Sequence, residues 1–461
     1  MMGSTKELDL LFDCEANNAS GKIIIYSSLI SERLKFTCDF IFNRVLQSPY
    51  VLISEVKEFE QLKGFKINYS LNNFPGIVQI IPQSLLIEKN ISEKKPIPIF
   101  KMGSIYFFSN KPDEGNNDLC FHFDVFSAVF YLVSRYEEWQ SFKKDKHLRF
   151  EATESILFQH KFHLKPVVDY WILELSHFLK KKYLEIEFPE KIFKVISTID
   201  VDNLFAYKHK GLARTIGASL KDLVKCDFKN LSERLKVISG KSKDPFDIYE
   251  SVSDFCFELK IPLIYFFLMR TGTAFDRTVN PASSAFDKVF RTLKTKNVNI
   301  GLHPSYNAAF EPSRLKNEHA LISSKLVSDV TFSRQHFLRF DIRTTPSLLL
   351  KNGIHTDYSM GFASTPGFRA GTSHPFQYYN FSKEETSKLL FVPFCTMDGA
   401  YFIYDTISPD AALESMYALA KEVKKAGGFF ISVFHERTFS NHLYPGFSTL
   451  YKNLHLRLKE L

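Results

Sequence analysis

Residues 193–203 read FKVISTIDVDN, and this stretch decides the fold. It is a run of β-branched and aromatic residues, a strand by composition, and it delivers two carboxylates, Asp200 and Asp202, at its C-terminal end. At positions i and i+2 of a strand both side chains fall on one face. Carboxylates that close resist joint ionisation unless a cation lies nearby. The pair therefore points to a bound metal, with one carboxylate ligating and the other free to take a proton. The plainer alternative is an Asx-type turn that closes the strand.

Outward from this run the same pattern repeats. VNIGL (298–302) ends at His303, and DVTFS (329–333) leads to Arg334 and His336. FVPFCTM (391–397) ends at Asp398, and GFFISVF (428–434) ends at His435, followed by Glu436 and Arg437. PLIYFFLM (262–269) is a further apolar run. Helical or basic segments separate these runs, and strands alternating with helices imply a parallel sheet or barrel. In a parallel barrel the C-terminal strand ends converge on one face, where a site is built. One titratable residue at a strand end is more often a cap or a loop hydrogen-bonder; a set of five points to a site.

The first third reads as a smaller α/β unit. Strands are expected at residues 22–30, 50–54, 66–70 and 77–81, with a short helix at 55–63 and an exposed connection at 90–100. Asp124 is a plausible N-cap for one helix, DVFSAVFYLVSRYEEWQ, with Phe126, Val129, Phe130, Val133 and Tyr136 on one face. Arg135, Glu137 and Glu138 read as its solvated or domain-facing side. A second helix follows Pro166, with Val168, Trp171, Ile172 and Leu175 on its apolar side. Pro189 marks the expected boundary.

Apolar residues make up 45% of the 461 and charged residues 24%, as in globular proteins with a sizeable core. No apolar run reaches the roughly 18–20 residues of a membrane helix. The first twenty residues are acidic and lack a basic start, so no signal peptide is read and a cytoplasmic location is expected. Cys14, Cys38, Cys120, Cys226, Cys256 and Cys395 are scattered without a CxxC pair, which excludes a zinc-finger spacing or disulfide framework. The net charge is +8, and residues 204–243 hold ten Lys or Arg against three acids. With charge so concentrated, and no GxGxxG, Walker loop or recognition helix, no nucleic-acid partner is expected.

At these residues the sequence resembles the NodB-like polysaccharide deacetylases. It looks closest to a two-domain bacterial branch with an uncharacterised N-terminal α/β domain. The resemblance covers the whole chain: FDVFSAVFYLVSRYEEW and KPVVDYW are similar to the N-terminal region, and residues from about 190 onward to the barrel. It implies an α/β fold, with a distorted (β/α) barrel over 189–461 preceded by a smaller α/β domain over 1–188. It also implies removal of acetyl groups from an acetylated glycan or glycolipid.

Carried onto this chain, the family's first motif makes Asp200 the general base and Asp202 a metal ligand, with one extra residue between them. In the second motif, His303-Pro-Ser-Tyr-Asn307, His303 is a ligand and Asn307 stands where a second histidine belongs; Asn is a far poorer zinc ligand. Arg334 would orient the base, and His336 is available to replace the missing imidazole. Arg369 in GFRAGTSHPF is a second candidate for the arginine. Asp357 or Asp398 would steer the acid, and His435 would be that acid. The implied cofactor is a divalent metal, zinc favoured.

Tyr306, Phe376, Tyr378 and Tyr379 are candidates to stack on a sugar, with core packing the safer reading for each. The basic segment near 204–250 is expected to be a helical insertion that folds over the site and meets an acidic or lipid-phosphate-linked glycan. Two rivals stand beside the deacetylase: a glycan-binding member whose metal site has decayed at Asn307, and a glycosidase. Asp200 and Asp202 are too close for the latter, which needs roughly 5–9 Å between carboxyl groups.

Overall fold

Among the described residues, the first third of the chain forms seven short strands: β1 (Ile23–Tyr26), β2 (Tyr50–Ile53), β3 (Phe65–Asn68), β4 (Val78–Ile80), β5 (Ile99–Met102), β6 (Ser104–Phe107) and β7 (Cys120–Phe121). Five of them lie in one parallel sheet of order β2-β1-β3-β4-β7, while β5 and β6 form an antiparallel pair. The computed structural model describes residues 21–91, 97–102, 104–108 and 118–461. The readings of the first twenty residues, including Cys14, lie outside that range, as do residues 92–96 of the connection expected at 90–100.

Asp124 caps its helix as expected: its Oδ1 accepts from the Ser127 backbone N–H at 3.0 Å. The helix is not one piece. It spans Val125–Val133, every residue buried, breaks at Arg135 with φ 57°, and resumes at Tyr136–Trp139. Arg135, Glu137 and Glu138, expected on a solvated or domain-facing side, are buried. The helix after Pro166 runs Val167–Lys182.

Nine strands follow: β8 (Phe193–Val201), β9 (Leu263–Leu268), β10 (Asn299–His303), β11 (Phe332–Ser333), β12 (Thr356–Asp357), β13 (Phe376–Asn380), β14 (Glu385–Phe391), β15 (Thr396–Met397) and β16 (Gly428–His435). Their order is β13-β14-β12-β11-β10-β9-β8-β16-β15, and every pair except β13–β14 is parallel. The sheet curls. The run from β14 into β15 pairs first with β12 and then with β16. Between the two, the Val392 N–H donates to Asp357 O at 2.9 Å, that of Phe394 to Met360 O at 3.1 Å, and that of Cys395 to Ile431 O at 3.4 Å. One bent run thus links the far sides of the curl, in the place of a regular last barrel strand.

Strand alternation separates the two faces of this sheet. Ile196, Ile264, Phe266, Phe332, Phe394, Ile431 and Val433 form one apolar cluster inside the curl. Their neighbours Ile199, Leu263, Tyr265, Phe267, Phe430 and Phe434 belong to the outer core beneath the helices. Gly301 faces inward because nothing larger fits: a Cβ there would stand 2.6 Å from Phe266 and 2.7 Å from Phe332. The same parity carries Asp200, Asp202, His303, Arg334 and His435 to the inner side of the C-terminal rim.

The two sheets share one continuous core, in which Phe36 and Phe130 pack on Tyr379. Buried polar ties reinforce it: Asp169 accepts from the Ser373 N–H at 2.8 Å, and Glu138 pairs with Arg369 at 2.6 Å.

Candidate metal and catalytic centre

Asp202, at the end of β8, meets His303, at the end of β10, and His336, in the loop after β11. Asp202 Oδ1 lies 3.3 Å from His303 Nε2 and 3.4 Å from His336 Nε2. The three ligand atoms lie within 4.8 Å of one another. Asp202 Oδ1 is buried and has no hydrogen-bond partner among the described residues.

The far side of each ring is fixed. His303 Nδ1 faces the Arg334 carbonyl at 2.5 Å, and His336 Nδ1 faces Asp276 Oδ1 at 3.0 Å. Both partners are acceptors, so each ring gives its Nδ1–H to one of them, which leaves Nε2, the atom that faces Asp202, to ligate a cation. Lone pairs and a carboxylate converging in a buried space are a donor set for a cation. Tetrahedral ligands at about 2.1 Å from zinc stand about 3.4 Å apart, the spacing seen here. Without an ion, a proton takes that place. Burial disfavours the charge on His336, but Asp202 outweighs it and pushes the group up to about 9. Asp202 is held well below the usual carboxylate range: burial works against that, and His336 and Arg437 overcome it.

Asp200 faces the same space, its Oδ2 3.9 Å from His303 Nε2. Its Oδ1 accepts from Arg334 Nη1 at 2.8 Å. Arg334 is itself fully buried over the Phe266 ring and held by Thr198 Oγ1 at 2.7 Å and the Tyr358 carbonyl at 3.0 Å. On the adjacent strand His435 stands in register with Asp200. Asp398 grips it twice, Oδ1 on His435 Nδ1 at 2.6 Å and Oδ2 on the backbone N–H at 2.8 Å. Burial opposes a charge on His435, yet Asp398 prevails and the imidazole is raised above its ordinary value.

Three expected residues stand elsewhere. Asn307 does not join the cluster: its Oδ1 accepts from Arg339 Nη1 at 2.5 Å, so a guanidinium already holds the oxygen that would ligate. Arg369 is tied to Glu138 through Nε at 2.9 Å and Nη2 at 2.6 Å, a buried structural pair away from Asp200. Asp357 accepts from Ser333 Oγ and the Ser359 N–H, which leaves Asp398 as the partner of His435. Phe376, Tyr378 and Tyr379 are core residues. Tyr306 is half-buried, stacks on Phe275 at 4.0 Å and meets His147 Nδ1 through its hydroxyl at 2.9 Å.

Three other residues complete the centre. Asp276, in the loop after β9, holds His336 and also accepts the Tyr306 N–H at 3.0 Å. Arg437 pairs with the second oxygen of Asp202 at 2.9 Å. Glu436 accepts the Asp202 N–H at 3.0 Å, and burial together with Asp202 pushes its carboxyl up to about 8. Glu436 and Arg437 had a signal, since they directly follow the strand-end histidine. Asp276 had none, lying in a loop eight residues beyond β9.

Residues 23–184 match the family model "Family of unknown function (DUF7033)". No curated protein matches the chain. Among solved structures it is similar to a Mycobacterium smegmatis protein assigned as a polysaccharide deacetylase, with 13% identity and TM-score 0.37 over 60% of this chain and 87% of that one. It is similar to the Puue allantoinase, with 11% identity and TM-score 0.38 over 59% and 85%. A CE4 family pseudoenzyme from Bacillus anthracis is also similar, with 8% identity and TM-score 0.28 over 58% and 60%. At these identities and TM-scores the likenesses assign no activity to this chain.

Proposed function

We propose that this chain is a metal-dependent hydrolase that removes acetyl groups from a carbohydrate. The observation that carries the reading is the Asp202–His303–His336 donor set, flanked by the Asp200–Arg334 pair and the His435–Asp398 pair. A divalent ion held by that set, zinc in our reading, supplies Lewis acidity toward the acyl carbonyl and the attacking water. Asp200 takes the proton of that water, and Arg334 fixes the carboxylate in place. His435 gives a proton to the departing amine or hydroxyl. Asp398 fixes the imidazole tautomer and favours its charged form. Water is consumed, and acetate and the deacetylated sugar leave.

In this reading Asn307 marks a rebuilt ligand shell, because His336 supplies the second imidazole. The partner is an acetylated glycan or glycolipid, and nucleic acid is not one. The free cysteines among the described residues support a reducing compartment, the cytoplasm.

One observation favours a second reading, a binding protein with an impaired centre. The Arg437 guanidinium already neutralises one oxygen of Asp202. The two readings part on metal content and acetate release, measured on purified protein with a panel of acetylated saccharides. A hydrolase binds about one metal per chain, and Asp200→Asn lowers turnover on the order of 10²–10⁴-fold with metal retained. Protein that takes up no metal under any condition is the binding module instead.

A further inference from the structure

The segment after β8 leaves the rim beside Asp202 and forms a hairpin of two helices, Leu212–Val224 and Phe228–Ile238. Its base is anchored by Asp244, whose carboxylate accepts the N–H groups of Ala206, Tyr207 and Lys208 at 2.8–3.0 Å. The burial of the first helix is inverted. Asp222, a charged residue, is the buried one in the first helix; it pairs with Arg234 at 2.7 Å and accepts from Asn230 at 2.9 Å. Leu212, Ile216, Leu220 and Val224 stand in solvent, 83%, 58%, 57% and 85% exposed. At four-residue spacing they share one helix face. Phe228 and Leu235, 63% and 55% exposed, extend the apolar surface onto the second helix. A helix that serves only its own fold turns such a stripe inward.

The charge around the stripe identifies its partner. Arg214, Lys221, Lys225, Lys229 and Lys236 are all exposed, in a segment with ten basic residues and three acids. An apolar face beside Lys and Arg suits a helix lying in the plane of a bilayer interface. Among the described residues no helix is long and apolar enough to cross a membrane, so the contact is shallow. A second copy of the chain fits poorly, since two such segments would meet with like charge.

We propose that the hairpin 212–238 docks on the surface of an anionic phospholipid bilayer, seating its apolar stripe among the acyl chains and its lysines at the headgroup phosphates. The hairpin and the candidate centre share one rim, so docking brings that rim to the membrane. Glycans carried on lipid are then the substrate class. This consequence rests on the reading of the centre above; the docking itself does not.

The test is co-sedimentation of the full chain with phosphatidylcholine vesicles, with and without phosphatidylglycerol. The chain is expected to bind the anionic vesicles, and the double variant Leu220→Asp/Val224→Asp to bind at least about tenfold more weakly. Lys221→Glu/Lys225→Glu is expected to weaken binding comparably, and high salt to do the same. The exposed Leu220→Trp variant adds a direct readout: its fluorescence shifts to the blue on anionic vesicles and is quenched by brominated acyl chains. Wild-type protein that ignores anionic vesicles overturns the proposal, as does an emission spectrum of the Leu220→Trp variant that vesicles leave unchanged. A lipid-free dimer that Leu220→Asp/Val224→Asp dissolves also overturns it, by giving the stripe to a second copy. Asp200→Asn separates the two readings. If it and the wild type both bind vesicles and neither releases acetate, docking stands and the hydrolase falls. Acetate release from soluble glycans without vesicle binding leaves the hydrolase and removes docking.

Discussion

Glu138, Arg135 and Arg369 form one buried cluster of charge in this chain, and Asp200, Asp202, His303, His336 and Arg334 form another. The first is closed. Both Glu138 oxygens accept from guanidinium groups, and each guanidinium nitrogen of Arg135 and Arg369 has a partner at 3.3 Å or less. The second is open. Asp202 Oδ1 and Arg334 Nη2 are buried without a hydrogen-bond partner among the described residues. An unsatisfied buried polar atom costs about 1–3 kcal/mol, more when charged. A fold carries that cost where something else completes the shell. Residue type alone does not distinguish a structural ion pair from a reactive centre; the difference lies in whether the shell is complete.

The largest effect that tests this contrast is on metal. His336→Ala is expected to remove metal and activity together, while Asn307→Ala leaves metal largely in place, because Arg339 already occupies its oxygen. Asp276→Asn takes away only the carboxylate behind His336 and is expected to weaken metal about 10–100-fold. Metal titration of the three variants checks the order. Unchanged affinity in His336→Ala with loss in Asn307→Ala would reverse the ligand assignment.

The closed cluster answers differently. Arg369→Ala leaves Glu138 buried with one cation fewer, and breaking such a pair costs about 3–5 kcal/mol. Urea unfolding is expected to show that loss, while the folded fraction keeps its metal and its turnover per site. A lower kcat at unchanged stability would return Arg369 to the catalytic list.

The same contrast explains what the sequence disclosed. β8, β10 and β16 were legible because each is a largely apolar run ending in a titratable residue, and the i, i+2 spacing put Asp200 and Asp202 on one face. The short strands β12 and β15 have two residues each, too few to show a period, and β14 is polar along most of its length. The break at Arg135 was hidden because the apolar pattern continues through it to Tyr136. At the centre, Asp200, Asp202, His303, Arg334, His336 and His435 came from strand ends. Asn307 and Arg369 came from motif spacing alone, and their partners, Arg339 and Glu138, lie too far along the chain to be read as neighbours. Asp276 is the reverse case, a loop residue that only the fold brings to His336.

The smallest expected effect sharpens the comparison from the catalytic side and concerns the proton on His435. As general acid His435 must be protonated, so turnover falls as pH rises through its pKa. Burial and Arg437 both lower that pKa, and Asp398 raises it enough to leave it above the ordinary histidine value. The alkaline limb of the pH–rate profile therefore belongs above the usual histidine range. Asp398→Asn preserves the shape of the side chain and removes the main raising charge, so burial and Arg437 are then opposed only by the weaker influence of Asp202. The limb is expected to move toward acid by at least about one pH unit, equivalent to about 1.4 kcal/mol. Activity is then lost at mildly alkaline pH and retained below neutrality, with metal content unchanged. If the limb stays where it was, the proton comes from another group, and Glu436, raised to about 8 beside Asp202, is the next to substitute.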